Sequence, residues 1–162
     1  MNNLEAKVKF ERGKYMDNMN TIKTTVLGVL GIVGSVIAKY LGGWDAALQT
    51  LIIFMAVDYF TGMLVAAVFH KSEKTVNGRL DSRAGFKGLC RKGMTLVMVL
   101  VGSLLDGLSG TDVIRNAVVI AYCINEAVSI VENAGIMGLP IPSIIRKALE
   151  ILQNKTEQQG VE

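Results

Sequence analysis

AALQTLIIFMAVDYFTGMLVAAVF, residues 46–69, carries one charged side chain, Asp58, in 24 residues. At about 1.5 Å per helical residue it reaches roughly 36 Å, enough to cross a hydrocarbon core of ~30 Å with some tilt. A run this long and apolar is the signature of a membrane-spanning helix, in which every backbone polar group is satisfied internally because lipid offers no partners. The rest of the chain is read outward from it.

Apolar residues make up 51% of the 162 and mean hydropathy is +0.40, more than soluble domains usually show. The charged 19% gather in residues 1–23, in residues 70–92 and in the tail, leaving long uncharged intervals. An unpaired charge in hydrocarbon costs several kcal/mol, and segregation of this kind avoids that cost. Before residue 46, a span is expected over 24–41, with Tyr40 and Trp44 as interfacial anchors. After residue 69 comes a hydrophilic loop, 70–92, bearing Lys71, Lys74, Arg79, Arg83, Lys87, Arg91 and Lys92 against Glu73 and Asp81. These basic residues are expected at the membrane surface, and the part from Ser82 suits a helix with Arg83, Lys87 and Arg91 on one stripe.

The third span, 93–108, is the shortest: Gly93 to Leu105 gives only about 20 Å of uncharged helix, so Arg91 and Lys92 would snorkel at its end. The fourth, 113–134, is the most polar, with Asn125, Glu126, Ser129, Glu132 and Asn133 in its second half. Beyond Gly138-Leu-Pro140, the residues Ile141, Ile144, Ile145, Ala148, Leu149 and Leu152 recur at helical spacing opposite Arg146, Lys147 and Glu150. That pattern predicts an amphipathic interfacial helix, followed by a disordered polar end from Gln153. The expected fold is therefore an all-α integral membrane protein: a basic leader (1–23), a domain of four transmembrane helices (24–138), and a C-terminal amphipathic helix with a polar tail (139–162).

Basic residues stay on the cytoplasmic side during insertion. With four spans and both termini inside, only Lys39 and Arg115 of the 17 Lys and Arg residues fall near the outer face. The expected location is a bacterial cytoplasmic membrane. A cleaved export signal does not account for the chain, because three further apolar segments follow the first.

Two groups of residues stand out inside the spans. Gly28, Gly31, Gly34, Ser35 and Ala38 lie three and four apart, giving the first span a nearly side-chain-free face suited to close helix packing, within one protomer or between copies. Asp58, with Thr61 beside it, and Glu126, with Asn125 and Ser129 nearby, place carboxylates near mid-membrane, where an ionised group costs at least ~3 kcal/mol. No basic residue is expected at that depth, so at least one acid is expected to be protonated while the site is dry. The group either glues the spans together through hydrogen bonds or lines water once subunits assemble.

Metal and catalytic chemistry find no support. His70 is the only histidine and has no thiolate at ligand spacing, Cys90 and Cys123 form no framework, and no phosphate-cradling or nucleophile motif appears. No cofactor is expected. The net charge of +3 flanks apolar segments instead of interleaving with aromatics, so no nucleic-acid partner is expected either.

One ordered set of motifs is more specific: Asp58-Tyr-Phe-Thr61-Gly62, then Ser82-Arg-Ala-Gly85-Phe-Lys-Gly88-Leu-Cys-Arg91-Lys92, then Asn125-Glu126-Ala-Val-Ser129-Ile130-Val-Glu132-Asn133, and Gly138-Leu-Pro140-Ile-Pro142. Across roughly residues 44–153 it resembles the toxin-secretion and phage-lysis holin family. The resemblance implies a homo-oligomer in the bilayer that opens a lesion for an endolysin or a secreted toxin, not an enzyme. It supplies no catalytic residues. The leader and the glycine-lined first span lie outside these motifs. Met16 and Met19 follow a leader with Lys7, Lys9, Arg12 and Lys14, so a second start there would remove four positive charges. Two other classes compete: a small channel or transporter using Asp58 and Glu126, and a membrane scaffold recruiting a partner through its basic loop and tail.

Overall fold

The structure, a computed structural model, describes residues 3–72 and 77–159. All regular structure among them is helical: α1 (Asn3–Tyr40), α2 (Ala46–Leu64, continued by a π-helical turn, Val65–Phe69), α3 (Ser82–Ser109), α4 (Val113–Ile136) and α5 (Ser143–Gln159). Four stretches are long and apolar enough to cross a membrane: Tyr15–Tyr40, Ala46–Phe69, Ser82–Ser109 and Val113–Ile136. The chain is a multi-pass membrane protein.

Several boundaries differ from the sequence reading. The leader is helical and continuous with the first span from Asn3. Residues 82–92 are helical from Ser82, as expected, but they run on into the third span as the first three turns of α3, whose 28 residues reach about 42 Å, so the third span is not short. Asp81 starts this helix by accepting a hydrogen bond from Arg83 N at 2.8 Å. The polar end expected to be disordered continues α5 as far as Gln159. Lys74 of the basic loop, and the side chains of Lys7, Lys9 and Lys14 in the leader, lie outside the described residues.

The chain divides into two units, residues 1–39 and residues 40–162. The first is a single helix whose hydroxyls bond back to their own backbone, as Ser35 Oγ does to Gly31 O at 2.8 Å. In the second, α4 packs against both α2 and α3, which meet each other far less. Its core is Leu41, Leu48, Leu51 and Met55 from the α2 side, Val99 from α3 and Val119 from α4. The outward faces remain apolar, with Ile53, Phe60, Val97, Val101 and Leu104 exposed as lipid requires. On α5, Ile144, Ile145, Ile151 and Leu152 are exposed beside Arg146 and Lys147, the composition of a helix lying in the interface.

The α3–α4 connection is held from within. Gly110 ends α3 in the left-handed conformation, and the buried Asp106 accepts hydrogen bonds from Thr111 Oγ1 (2.7 Å), Ile114 N (3.0 Å) and Arg115 N (2.7 Å). Asp106 thus caps the open N-terminus of α4 from the preceding helix, a role the α4 N-cap residue Asp112 does not fill with its own side chain. One turn below, a Cβ on Gly102 would stand 3.0 Å from Arg115 Cα. The two backbones meet here because α3 has no side chain at this position. Gly102→Val is expected to lower stability by about 1–3 kcal/mol through overpacking, whereas Gly107→Ala, which meets nothing within 4 Å, is expected to change little. Thermal unfolding of the purified variants in detergent measures both.

Candidate functional site

The polar residues of the spans meet at one place. Lys92 Nζ, on α3, lies 2.8 Å from Asp58 Oδ2 on α2 and 2.5 Å from Glu126 Oε2 on α4. The three side chains are only 12%, 9% and 7% exposed, respectively. Asn133, two turns further along the same face of α4, donates from Nδ2 to Asp58 Oδ1 (3.1 Å) and to Thr61 Oγ1 (3.0 Å), and Thr61 Oγ1 donates to Asp58 O (3.1 Å). One ammonium and one amide therefore tie α2, α3 and α4 together through charge-assisted hydrogen bonds in a low-dielectric setting.

This corrects two expectations. A basic residue is available at the depth of the acids: Lys92 pairs with both of them. Lys92 is accordingly not a membrane-surface residue, unlike Lys71, Arg79, Arg83, Lys87 and Arg91, which are exposed. The cause is helical geometry. Arg83, Lys87 and Arg91 repeat every four residues on one stripe, while Lys92 sits about 100° further round and points into the bundle.

Beside the triad, where α2 and α3 splay apart, lies a cavity of about 670 Å³ with α4 as its floor. Asp58, Lys92, Glu126, Asn125, Ser129, Glu132 and Asn133 line it, together with Tyr59, Tyr122 and Thr95. Small residues shape the opening: Gly62, Ala66, Ala84, Gly85 and Gly88 face it, and a Cβ on Gly85 would come within 3.5 Å of Tyr59 Oη. The predicted residues Asp58, Thr61, Asn125, Glu126 and Ser129 are thus brought together, with Asn125 exposed and Ser129 half-buried at the cavity. Gly28, Gly31, Gly34, Ser35 and Ala38 belong to α1 and do not line it.

A second charged cluster closes the opposite end of the unit. Arg115, 5% exposed, donates from Nε to Leu41 O (2.9 Å), from Nη2 to Asp45 Oδ1 (3.1 Å), and from Nη1 to Asp45 Oδ2 and Asn116 Oδ1 (3.1 Å). Asp45 is also the N-cap of α2, accepting from Leu48 N at 2.8 Å. Gly42 is required beside it: its φ is +90°, and a Cβ there would stand 2.8 Å from Arg115 Nε. The sequence marked Arg115 only as an outer-face charge; its neighbour 70 positions away was not readable from spacing. The Arg115 guanidinium holds the Asp45 carboxyl below its ordinary 3.8. A lowered native pKa means the pair stabilises fully above that range, and the contribution fades as pH falls through the lowered value. The expected result is an acid-side drop in the thermal midpoint that Asp45→Asn makes shallower, read from unfolding across an acid titration in detergent.

Among the described residues no group of three or more His, Cys, Asp and Glu side chains is placed to hold a metal ion. Against known proteins, the bacteriophage holin family matches residues 35–154, which take in α2, α3, α4 and most of α5. An uncharacterized protein of Clostridium perfringens is 37% identical over 130 residues, covering 78% of this chain and 90% of its own length. An uncharacterized 14.9 kDa protein of the same species, from the nagH 3′ region, is 36% identical over 138 residues, covering 84% and 98%. An uncharacterized protein of Listeria innocua is 31% identical over 131 residues, covering 80% and 87%. No solved structure matches the chain.

Proposed function

This chain belongs to the bacteriophage holin family, and from that premise we propose that it accumulates in a bacterial cytoplasmic membrane, oligomerises, and opens a lesion through which an endolysin or a secreted toxin leaves the cell. Both termini face the cytoplasm, the arrangement that leaves only Lys39 and Arg115 of its 17 basic residues near the outer face, with Lys92 held inside the bundle. The chain works as a membrane pore-former and not as an enzyme.

The observation that carries the reading is the polar interior of an otherwise lipid-compatible bundle. Lys92, Asp58 and Glu126 sit inside the bundle, beside a cavity whose floor adds Asn125 and Ser129. Closed, these groups satisfy one another. When protomers associate through the Gly28, Gly31, Gly34, Ser35 and Ala38 face, α2 and α3 part further and the same groups line water. A lesion needs such a reserve of polar surface, since lipid-facing side chains alone give water no wall.

A cavity of this size with two buried acids also suits a small transporter or cation channel. Induced expression in bacteria, with and without a cytoplasmic endolysin, separates the readings. Abrupt growth arrest, followed by endolysin-dependent fall in optical density, is the expected result. Unimpaired growth at confirmed membrane levels contradicts the lesion, and ion leakage without endolysin-dependent lysis favours the transporter.

A further inference from the structure

We propose that the outer edge of α3 is a binding site for anionic phospholipid, in which Arg83, Lys87 and Arg91 take the headgroup phosphate and the neighbouring apolar side chains take the acyl chains. The three residues stand at i, i+4 and i+8, forming one stripe that rises about 12 Å along the helix. All three are exposed. Among the described residues the cations engaged in ion pairs are Lys92 and Arg115, so the charges of this stripe are not neutralised by the protein. The carboxylate nearest in sequence, Asp81, caps the helix through Arg83 N.

The depth of the stripe follows from its neighbour. Lys92 is held at the buried acids, so Arg91 leaves the helix at the same level and reaches up toward the headgroups, while Arg83 stands two turns higher. Phe86, 68% exposed, flanks the stripe on the side away from the cavity, and below the stripe on its own face Met94, Val97, Met98 and Val101 are exposed. Charge above and bare apolar surface below, on one rigid helix, match a phospholipid in length and polarity. Arg91 stands at the rim of the cavity, whose lining carries Asp58, Asp81, Glu126 and Glu132 against Arg91 and Lys92; that excess of acid disfavours a phosphate inside and keeps the headgroup on the outer edge, where Arg83 and Lys87 lie clear of the cavity. A zwitterionic phosphocholine brings its own cation to three unpaired cations, whereas phosphatidylglycerol brings only the anion, so the latter is the occupant.

The test is lipid retention by the full-length protein, extracted from mixed vesicles of phosphatidylglycerol and phosphatidylcholine and weighed intact with its bound lipid. The wild type is expected to retain phosphatidylglycerol preferentially, less so as salt rises. Arg83→Gln/Lys87→Gln/Arg91→Gln is expected to lower that preference on the order of tenfold to a hundredfold. Arg83→Lys/Arg91→Lys is expected to keep most of it, and an unchanged thermal midpoint shows that each variant folds. Equal retention of the two lipids by the wild type overturns the proposal, as does a preference that survives the triple substitution or is lost instead in Arg146→Gln/Lys147→Gln on α5. The readout contains no lysis step, so it stands apart from the lesion-forming activity.

Discussion

Lys92→Met is expected to lower the stability of the closed protein by about 3–5 kcal/mol, the usual cost of leaving buried charges without their partner. Two carboxylates depend on this one ammonium, at 2.8 Å and 2.5 Å, and no other cation forms an ion pair with them among the described residues. The substitution also unties α3 from α2 and α4 where the helices already splay. The loss belongs to the orphaned acids and not to the missing side chain. Asp58→Asn/Lys92→Met/Glu126→Gln is therefore expected to recover more than half of it, with Asn133 still able to donate to the side-chain oxygen at position 58. Unfolding of the purified single and triple variants in detergent, together with their levels in membranes, checks the prediction. A triple variant no more stable than Lys92→Met would show that the ion pairs do not account for the effect.

Gly31→Leu is expected to leave the protein inserted and to abolish lysis. Gly31 sits at the centre of a face with Gly28, Gly34, Ser35 and Ala38, and its carbonyl already accepts the Ser35 hydroxyl, so this face presents backbone and small groups without an unsatisfied donor. Helices in lipid associate by close van der Waals approach, and a leucine at the contact holds them apart. The change adds apolar surface to a transmembrane segment, so insertion is not impaired. Cross-linking in membranes is expected to show association reduced at least about tenfold, with Gly31→Ala intermediate and Ile32→Leu unaffected. Lysis by Gly31→Leu on the normal schedule would remove this face from assembly.

The fold was legible because hydrophobic runs of membrane length leave few alternatives. Residues 46–69 and 113–134 needed no tertiary information, since their length and lack of charge are themselves the constraint. The third span was harder for a physical reason. A lysine at the end of an apolar run marks a membrane boundary unless a partner waits inside, and the partners of Lys92 lie 34 positions away in both directions. Asp58 and Glu126 were recognisable as anomalies because a lone intramembrane acid demands an explanation; the explanation was another helix's side chain. Asp106 carried no such signal, since an acid followed by Gly107 and Gly110 reads as an ordinary helix end. Its three hydrogen bonds to the start of α4 exist only once the α3–α4 turn has formed.

The family match spans residues 35–154, so α2, α3 and α4 lie within it and most of α1 precedes it. In the proposed lesion the triad and cavity supply polar surface, and the small-residue face of α1 supplies association.

The most direct measurement of that account uses the purified full-length protein in vesicles that hold a small dye together with a folded enzyme, at rising protein-to-lipid ratio. Above a threshold ratio both are expected to escape together, and Gly31→Leu is expected to release neither. Release of the dye alone at every ratio, with the enzyme retained, would contradict a lesion and mark a selective channel instead.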